Sequence, residues 1–270
     1  MPTKTLLLTY IGGPTALLEF GGARFLTDPT FDPAGGHYPT GPVTLHKVGG
    51  PAISAENIGP VDYVLLSHDH HADNLDRAGR GLLSKANRVI TTKDGAARLG
   101  GNSVGLDPWE GIDVSTADGN LVRIIATPAR HGPADHDRGP VIGFVVSSFE
   151  APSLHDTDAH KPSHSFYFSG DTVWYEGVAE IAKRIPVRVA ILNLGAASVP
   201  QVGPFYLTMT ASEAVETARA FAGATIVPLH FEGWAHFSEG RKEIVQAFAD
   251  AGMNDRVRWP ESGRAIQIDL

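Results

Sequence analysis

Apolar residues along this chain come in short runs broken by turn signals. Near the start, KTLLLTY (4–10), ALLEF (16–20) and RFLT (24–27) are separated by IGGPT and GGA, which predicts three strands. VDYVLL (61–66) is the unbroken run of a buried strand and ends at Ser67-His68. NLDRAGRGLLSKA (74–86) predicts a helix and RVITT (88–92) a strand. IDVSTADGNLVRIIATPA (112–129) predicts a hairpin that turns at Asp118-Gly119. Further strands are expected at VIGFVVSS (141–148), SFYFSG (165–170), VRVAILNLG (187–195), TIVPL (225–229) and AIQID (265–269). Helices are expected at YEGVAEIAKRI (175–185), TASEAVETARAFAG (210–223) and SEGRKEIVQAFADAG (238–252). The middle one carries its own start and stop signals: Thr210 as N-cap, Glu213 three residues on, and Gly223 near the end. Two stretches lack a period. Asp28 to Pro60 is rich in proline and glycine and reads as a long loop, and Phe149 to Ser163 reads as a polar connection.

Many strands with interspersed helices suggest two sheets packed face to face with helices on their outer faces, an α+β architecture. No break in composition divides the chain, so residues 1–270 are expected to form one domain. Hydrophobic residues make up 42% of the chain, enough for a sizeable core. The formal net charge of −8 argues against a nucleic-acid partner, which would need clustered Lys and Arg. There is no cysteine, so disulfides and thiolate metal sites are excluded. No apolar run is long enough to span a membrane, and the opening three-leucine run is too short for a signal-peptide core. The default compartment is cytoplasmic.

The chemistry collects just after strands. YVLLSHDHHAD, IIATPARH, FYFSGD and IVPLH each place His or Asp at a predicted strand end, where a rigid scaffold can present side chains to one shared site. The long separations between His71, His131, Asp171 and His230 suit an open catalytic metal site rather than a closed structural knot. Taken singly, most of these residues are unremarkable. A lone His230 after a strand is more often a hydrogen-bonding residue, and Asp171 alone would serve as a helix cap. The cluster of His68, His70, His71 and Asp73 is the exception, because a solvated turn rarely holds three imidazoles. No phosphate-binding loop or dinucleotide fingerprint is present.

The order HDHHADN, TPARH, FSGDT, VPLH resembles the metallo-β-lactamase superfamily, with its His-x-His-x-Asp-His motif, later His, bridging Asp and final His. The opening TYIGGPTALLEFGGARFLTDPTF is also similar to the strands that begin that fold. The nearest branch is that of L-ascorbate-6-phosphate lactonase and the N-acyl-phosphatidylethanolamine phospholipase D-like hydrolases. The resemblance implies a four-layer αββα sandwich and a site holding one or two divalent ions, with zinc or manganese expected. It also implies a metal-activated water acting on an ester, lactone or phosphodiester of a small molecule. His68, His70, His71, Asp73, His131, Asp171 and His230 are the implied ligands, with Asp73 also orienting the water or acting as base. Asp171 would bridge two ions, His131 would complete the first position and His230 the second.

The motif departs from the family pattern. Anchored at its start, it takes His68 and His70 but places Ala72 at the aspartate. Anchored at its end, it takes His71 and Asp73 but places Asp69 at the first histidine. A one-residue insertion allows His68 or His70 to join Asp73. In each register the last motif histidine is replaced by Asn74 or Asp73, which puts the second metal position in question. His71 and Asp73 are expected to coordinate with at least one of His68 and His70, and the other would support the site or line the pocket.

Further pocket candidates are His37, Tyr38, Trp174, Asn193, Trp234 and His236; the bland alternative is a surface excursion for His37 and Tyr38, core packing for Trp174 and capping of the following helix for His236, while Asn193 would support the site through a side-chain hydrogen bond. His136, His155, His160 and His164 read as solvated loop residues. The long proline- and glycine-rich segment could cover a second copy in a homo-oligomer. Two rival functions remain: a non-catalytic metal- or ligand-binding protein on the same fold, and a nucleic-acid processing hydrolase.

Overall fold

The computed structural model describes residues 5–41, 43–116, 119–148 and 164–270. Strands β1 (Thr5–Gly12), β2 (Thr15–Phe20) and β3 (Ala23–Thr27) form the expected antiparallel meander. Gly21 and Gly22 join β2 to β3 with φ of 62° and 84°, the left-handed pair a two-residue hairpin requires. Then follow β4 (His37–Thr40), β5 (Val43–His46), β6 (Tyr63–Leu65), α1 (Arg77–Leu82), β7 (Arg88–Thr92), α2 (Lys93–Leu99) and β8 (Ser103–Leu106). The second half holds β9 (Gly111–Ser115), β10 (Leu121–Pro128), β11 (Ile142–Ser148), β12 (His164–Phe168), α3 (Glu176–Arg184), β13 (Val189–Asn193), α4 (Ala211–Ala220), β14 (Thr225–Leu229), α5 (Arg241–Asp250) and β15 (Ala265–Asp269).

Two sheets stack. One runs β15-β1-β2-β3-β6-β7-β8 and the other β14-β13-β12-β11-β10-β9. Alternation along each strand decides the layers. Leu6, Leu8, Phe20 and Phe25 of the first sheet meet Ile124, Phe144, Phe166 and Ile191 of the second in the central core. Phe166 anchors that contact, edge-on to Phe20 at 5.3 Å and to Phe25 at 6.1 Å. The opposite positions Val145, Tyr167, Ala190 and Leu192 face α3, α4 and α5 through Val178, Ala214, Ile244 and Phe248. Leu17, Leu26, Val64 and Val89 carry α1 through Leu75 and Leu82. The expected αββα sandwich is the observed architecture. Among the described residues, no helix is long and apolar enough to cross a membrane.

Several local expectations change. The stretch 28–60 is not featureless, because β4 and β5 pair as a hairpin, with Tyr38, Val43 and Leu45 turned inward. The helix expected over 74–86 is shorter: Asp76 caps α1, which tightens into a 3₁₀ turn at Leu83–Lys85. α4 carries the capping box of Thr210 and Glu213 but ends at Ala220, before Gly223. His164 opens β12, half-buried, rather than lying in a solvated loop. His136 is exposed as read, whereas His155, His160 and the Asp118 turn position lie outside the described residues.

α1 sits so close to the Asp28-Pro29 segment that a methyl group on Gly79 would lie 1.8 Å from the Pro29 carbonyl oxygen. The clash is with backbone, so it cannot be relieved by a rotamer. Gly79→Ala should therefore cost about 3 kcal/mol, the upper end of overpacking penalties. Urea unfolding checks this, and an unchanged midpoint would refute it.

Candidate metal centre

Five strand ends converge at one edge of the sandwich. β6 leads to His68, β10 to His131, β12 to Asp171 and β14 to His230, while β13 ends on Asn193. His68, Asp73, His131, Asp171, Asn193 and His230 are buried. Asp28 (φ 24°) and His230 (φ 54°) leave their strands with left-handed backbone, a strain of about 1–3 kcal/mol each that the surrounding packing must offset.

Three imidazole nitrogens meet. His68 Nε2 lies 3.0 Å from His71 Nδ1, which lies 3.1 Å from His131 Nε2. Proton counting shows that these contacts cannot both be good hydrogen bonds. His131 Nδ1 donates to the Leu207 carbonyl at 2.8 Å, which leaves Nε2 with a bare lone pair. Ser67 Oγ donates to Asp28 Oδ2 at 2.8 Å and accepts from His68 Nδ1 at 2.9 Å, so His68 Nε2 also presents a lone pair. His71 Nδ1 can donate to one of them at most. A cation among the three satisfies all of them, and tetrahedral zinc ligands stand about 3.3 Å apart. Asp171 Oδ2 is 4.0 Å from His131 Nε2 and is buried without a partner.

Electrostatics agree. Burial, reinforced by neighbouring histidines, drives His68 well below the ordinary imidazole range and His71 down to about 3. Both rings are therefore neutral, the form that binds metal, at physiological pH. Burial opposes ionisation of Asp171, but the His230 charge and hydrogen bond outweigh it and hold the carboxyl well below its usual range. Burial likewise opposes ionisation of Asp73, and His236 and His230 overcome it. Burial, with Asp171 adding to it, pushes Asp28 up to about 7.

The second group is richer in oxygen. Asp171 Oδ1 accepts from His230 Nδ1 at 3.1 Å and from Asn193 Nδ2 at 2.9 Å. His230 Nε2 lies 3.8 Å from Asp73 Oδ2. His230 Nε2 and Asp73 Oδ1 are both buried without partners. A bare imidazole nitrogen at such depth is costly, and a divalent ion would satisfy His230 Nε2.

The structure brings together His68, His71, Asp73, His131, Asp171 and His230. His70 stands beside them, its ring 4.8 Å from that of His68, but its Nε2 donates to the Arg138 carbonyl at 2.8 Å. Asp69 turns away to Arg98, with Arg98 Nε to Oδ2 at 3.0 Å. His236 is no helix cap, since Gly240 holds that position; its Nε2 contacts Asp73 Oδ2 at 3.0 Å.

A cavity of about 240 Å³ opens on this cluster, lined by His71, Asp73, His131 and His236. Val43, Leu45, Val199 and Leu207 form apolar wall and Arg138 stands in the lining as a cation. Tyr38 and Trp234 pack behind the wall with tilted rings 5.3 Å apart, and Asn193 contacts Asp171. Two candidates fall away. His37 points outward to pair edge-on with His46, because successive strand residues face opposite sides. Trp174 packs among the helices of the outer layer instead. Arg138, Val43, Leu45, Val199 and Leu207 were not anticipated. The alternation of Val43 and Leu45 was a usable signal, whereas nothing local marks the others.

Residues 23–231 match the family described as the Beta-lactamase superfamily domain. The chain belongs to the metallo-β-lactamase superfamily. Among superfamily relatives, the UPF0173 protein YddR of Bacillus subtilis is 24% identical over 96% of this chain and 98% of its own length. The N-acyl-phosphatidylethanolamine-hydrolyzing phospholipase D 1 of Caenorhabditis elegans is 24% identical over 88% of this chain and 66% of its own length. The metallo-β-lactamase fold recurs in an isothiocyanate hydrolase from Delia radicum gut bacteria, with a TM-score of 0.80 and 23% identity over 98% of this chain and all of that one.

Proposed function

We propose that the protein is a metal-dependent hydrolase that cleaves a small-molecule carboxylic ester or lactone carrying an anionic group. The observation that carries this is the direct opening of the ligand cluster into a small, mainly apolar cavity with Arg138 at its lining. His68 Nε2, His71 Nδ1, His131 Nε2 and Asp171 would hold the first ion, and Asp73, Asp171 and His230 a second. The nitrogen-rich first position suits zinc, and the carboxylate-rich second accepts zinc or manganese. A divalent ion bound there would polarise the scissile carbonyl and acidify a water.

The protein's own groups do the rest. Asp73 lines the cavity and stays ionised, so its free Oδ1 can accept a proton from the attacking water. Asn193 and His230 fix the orientation of Asp171. Val43, Leu45 and Leu207 exclude bulk water and seat the apolar body of the substrate. The 240 Å³ volume favours compact molecules over phospholipids or nucleic-acid strands.

The test is a panel of short-chain aryl esters, lactones, phosphodiesters and isothiocyanates with metal-loaded protein. Ester or lactone turnover, abolished by His131→Ala, is expected. Full metal loading with no turnover of any compound would instead favour a non-catalytic binder. Preference for phosphodiesters would overturn the substrate class. Arg138 is exposed, so its contribution is modest: Arg138→Ala should raise KM for a carboxylate-bearing ester about tenfold with kcat within about twofold. An equal rise for the uncharged ester would refute its role as an anion anchor.

A further inference from the structure

Next to Asp73 the family pattern calls for a histidine, and this chain has Asn74. Asn74 does not substitute for it. Its Nδ2 donates to Asp28 Oδ2 at 3.0 Å, on the side that supports Ser67 and His68. Its Oδ1 is buried without a hydrogen-bond partner, but a neutral amide oxygen is a poorer zinc ligand than an imidazole. An imidazole arrives instead from another part of the chain. His236 Nε2 lies 3.0 Å from Asp73 Oδ2, the same oxygen that His230 Nε2 approaches at 3.8 Å. These separations bracket the roughly 3.3 Å expected between neighbouring ligands of a tetrahedral zinc ion.

His236 is also held in place. The excursion between β14 and α5 starts at His230 and returns to the cluster at His236. Backbone bridges clamp it, Trp234 to Lys47 and Phe237 to Ala197. The His236 carbonyl accepts from Ser198 N at 2.9 Å. The Phe237 ring packs against both imidazoles, 4.8 Å from His230 and 4.7 Å from His236, and so orients the two together. His236 is only 10% exposed, on the cavity wall.

We infer that His236 takes the place of the missing motif histidine and completes a second divalent-cation position with Asp73, Asp171 and His230. This rests on the metal-centre reading above. The rival role for His236 is a hydrogen bond that orients Asp73, and the experiment must separate the two.

Metal-stripped full-length protein is titrated with Co²⁺, with bound metal counted by elemental analysis after dialysis and its ligand field followed by visible absorption. His236→Ala removes both roles. His236→Gln keeps an N–H donor for Asp73 but is a poor ligand. Wild type should bind two equivalents. Both variants should bind one, with the first-equivalent spectrum unchanged, which also shows that they are folded. Two equivalents in His236→Gln would overturn the inference and leave the metal centre standing. So would a single equivalent in wild type, or loss of both equivalents from a variant with a native circular dichroism spectrum. No metal bound by wild type would remove the metal-centre reading itself.

Discussion

Asp171→Asn should lower kcat/KM about 10³-fold or more and strip metal from the protein, while leaving the fold intact. The side chain is fully buried and belongs to two of the clusters that could hold a metal ion. Oδ1 is held by Asn193 and His230, while Oδ2 points without a partner towards His131. Burial alone would favour the neutral acid, yet the His230 charge beside it keeps the carboxylate ionised. The amide preserves shape but removes the charge shared by both proposed positions. Metal-centred stabilisation is worth several kcal/mol in a transition state, and about 4 kcal/mol corresponds to a factor of roughly 10³. Steady-state kinetics on the fastest ester of the panel, paired with metal analysis, measures both losses. Retention of kcat/KM within tenfold at full metal content would remove Asp171 from the centre.

Much of this site could be read from strand ends. VDYVLL, IIATP, FYF and TIVPL announce buried strands by their continuous apolar runs, and each delivers a candidate ligand where it stops. The register within SHDHHADN was harder. The alternatives differ only in where side chains point, and that is decided by remote partners. His131 is aimed by the Leu207 carbonyl, 76 positions away, and His68 by Ser67 and Asp28, the latter 39 positions from Ser67. A backbone carbonyl has no signature in a single sequence. The hairpin of β4 and β5 was hidden differently. Its inward Tyr38, Val43 and Leu45 alternate with outward His37, Thr44 and His46, but proline and glycine around them mask the period. α2 spans only Lys93–Leu99, too short for its apolar face to register against the β7 and β8 strands beside it. Missing the hairpin meant missing Val43 and Leu45, and with them much of the apolar wall that suggests a compact substrate.

Asp76→Ala should be the most damaging substitution for stability, at about 3–5 kcal/mol, or roughly 10 °C in Tm for a chain of this size. Asp76 closes the histidine-rich stretch SHDHHADNLD (67–76), and its carboxylate has a full set of partners. Oδ1 accepts from Phe31 N at 2.9 Å and from Gly79 N at 2.8 Å as the cap of α1. Oδ2 accepts from Asp32 N at 2.6 Å and from Lys47 Nζ at 2.7 Å. Neither side chain of the ion pair is more than 3% exposed, so the alanine would strand a buried ammonium and three amides. The effect reaches the cavity because Lys47 follows directly on β5. Losing the pair unfastens the hairpin that carries Val43 and Leu45 from the segment that carries the proposed ligands. Lys47→Met should cost less, since Asp76 keeps its three backbone donors. The double variant should recover about 1–3 kcal/mol relative to the sum of the singles, because the stranded charge is gone. Thermal and urea unfolding of all four proteins test this. A Tm shift below about 2 °C for Asp76→Ala, or strict additivity in the cycle, would mean that the buried pair does not join the hairpin to α1.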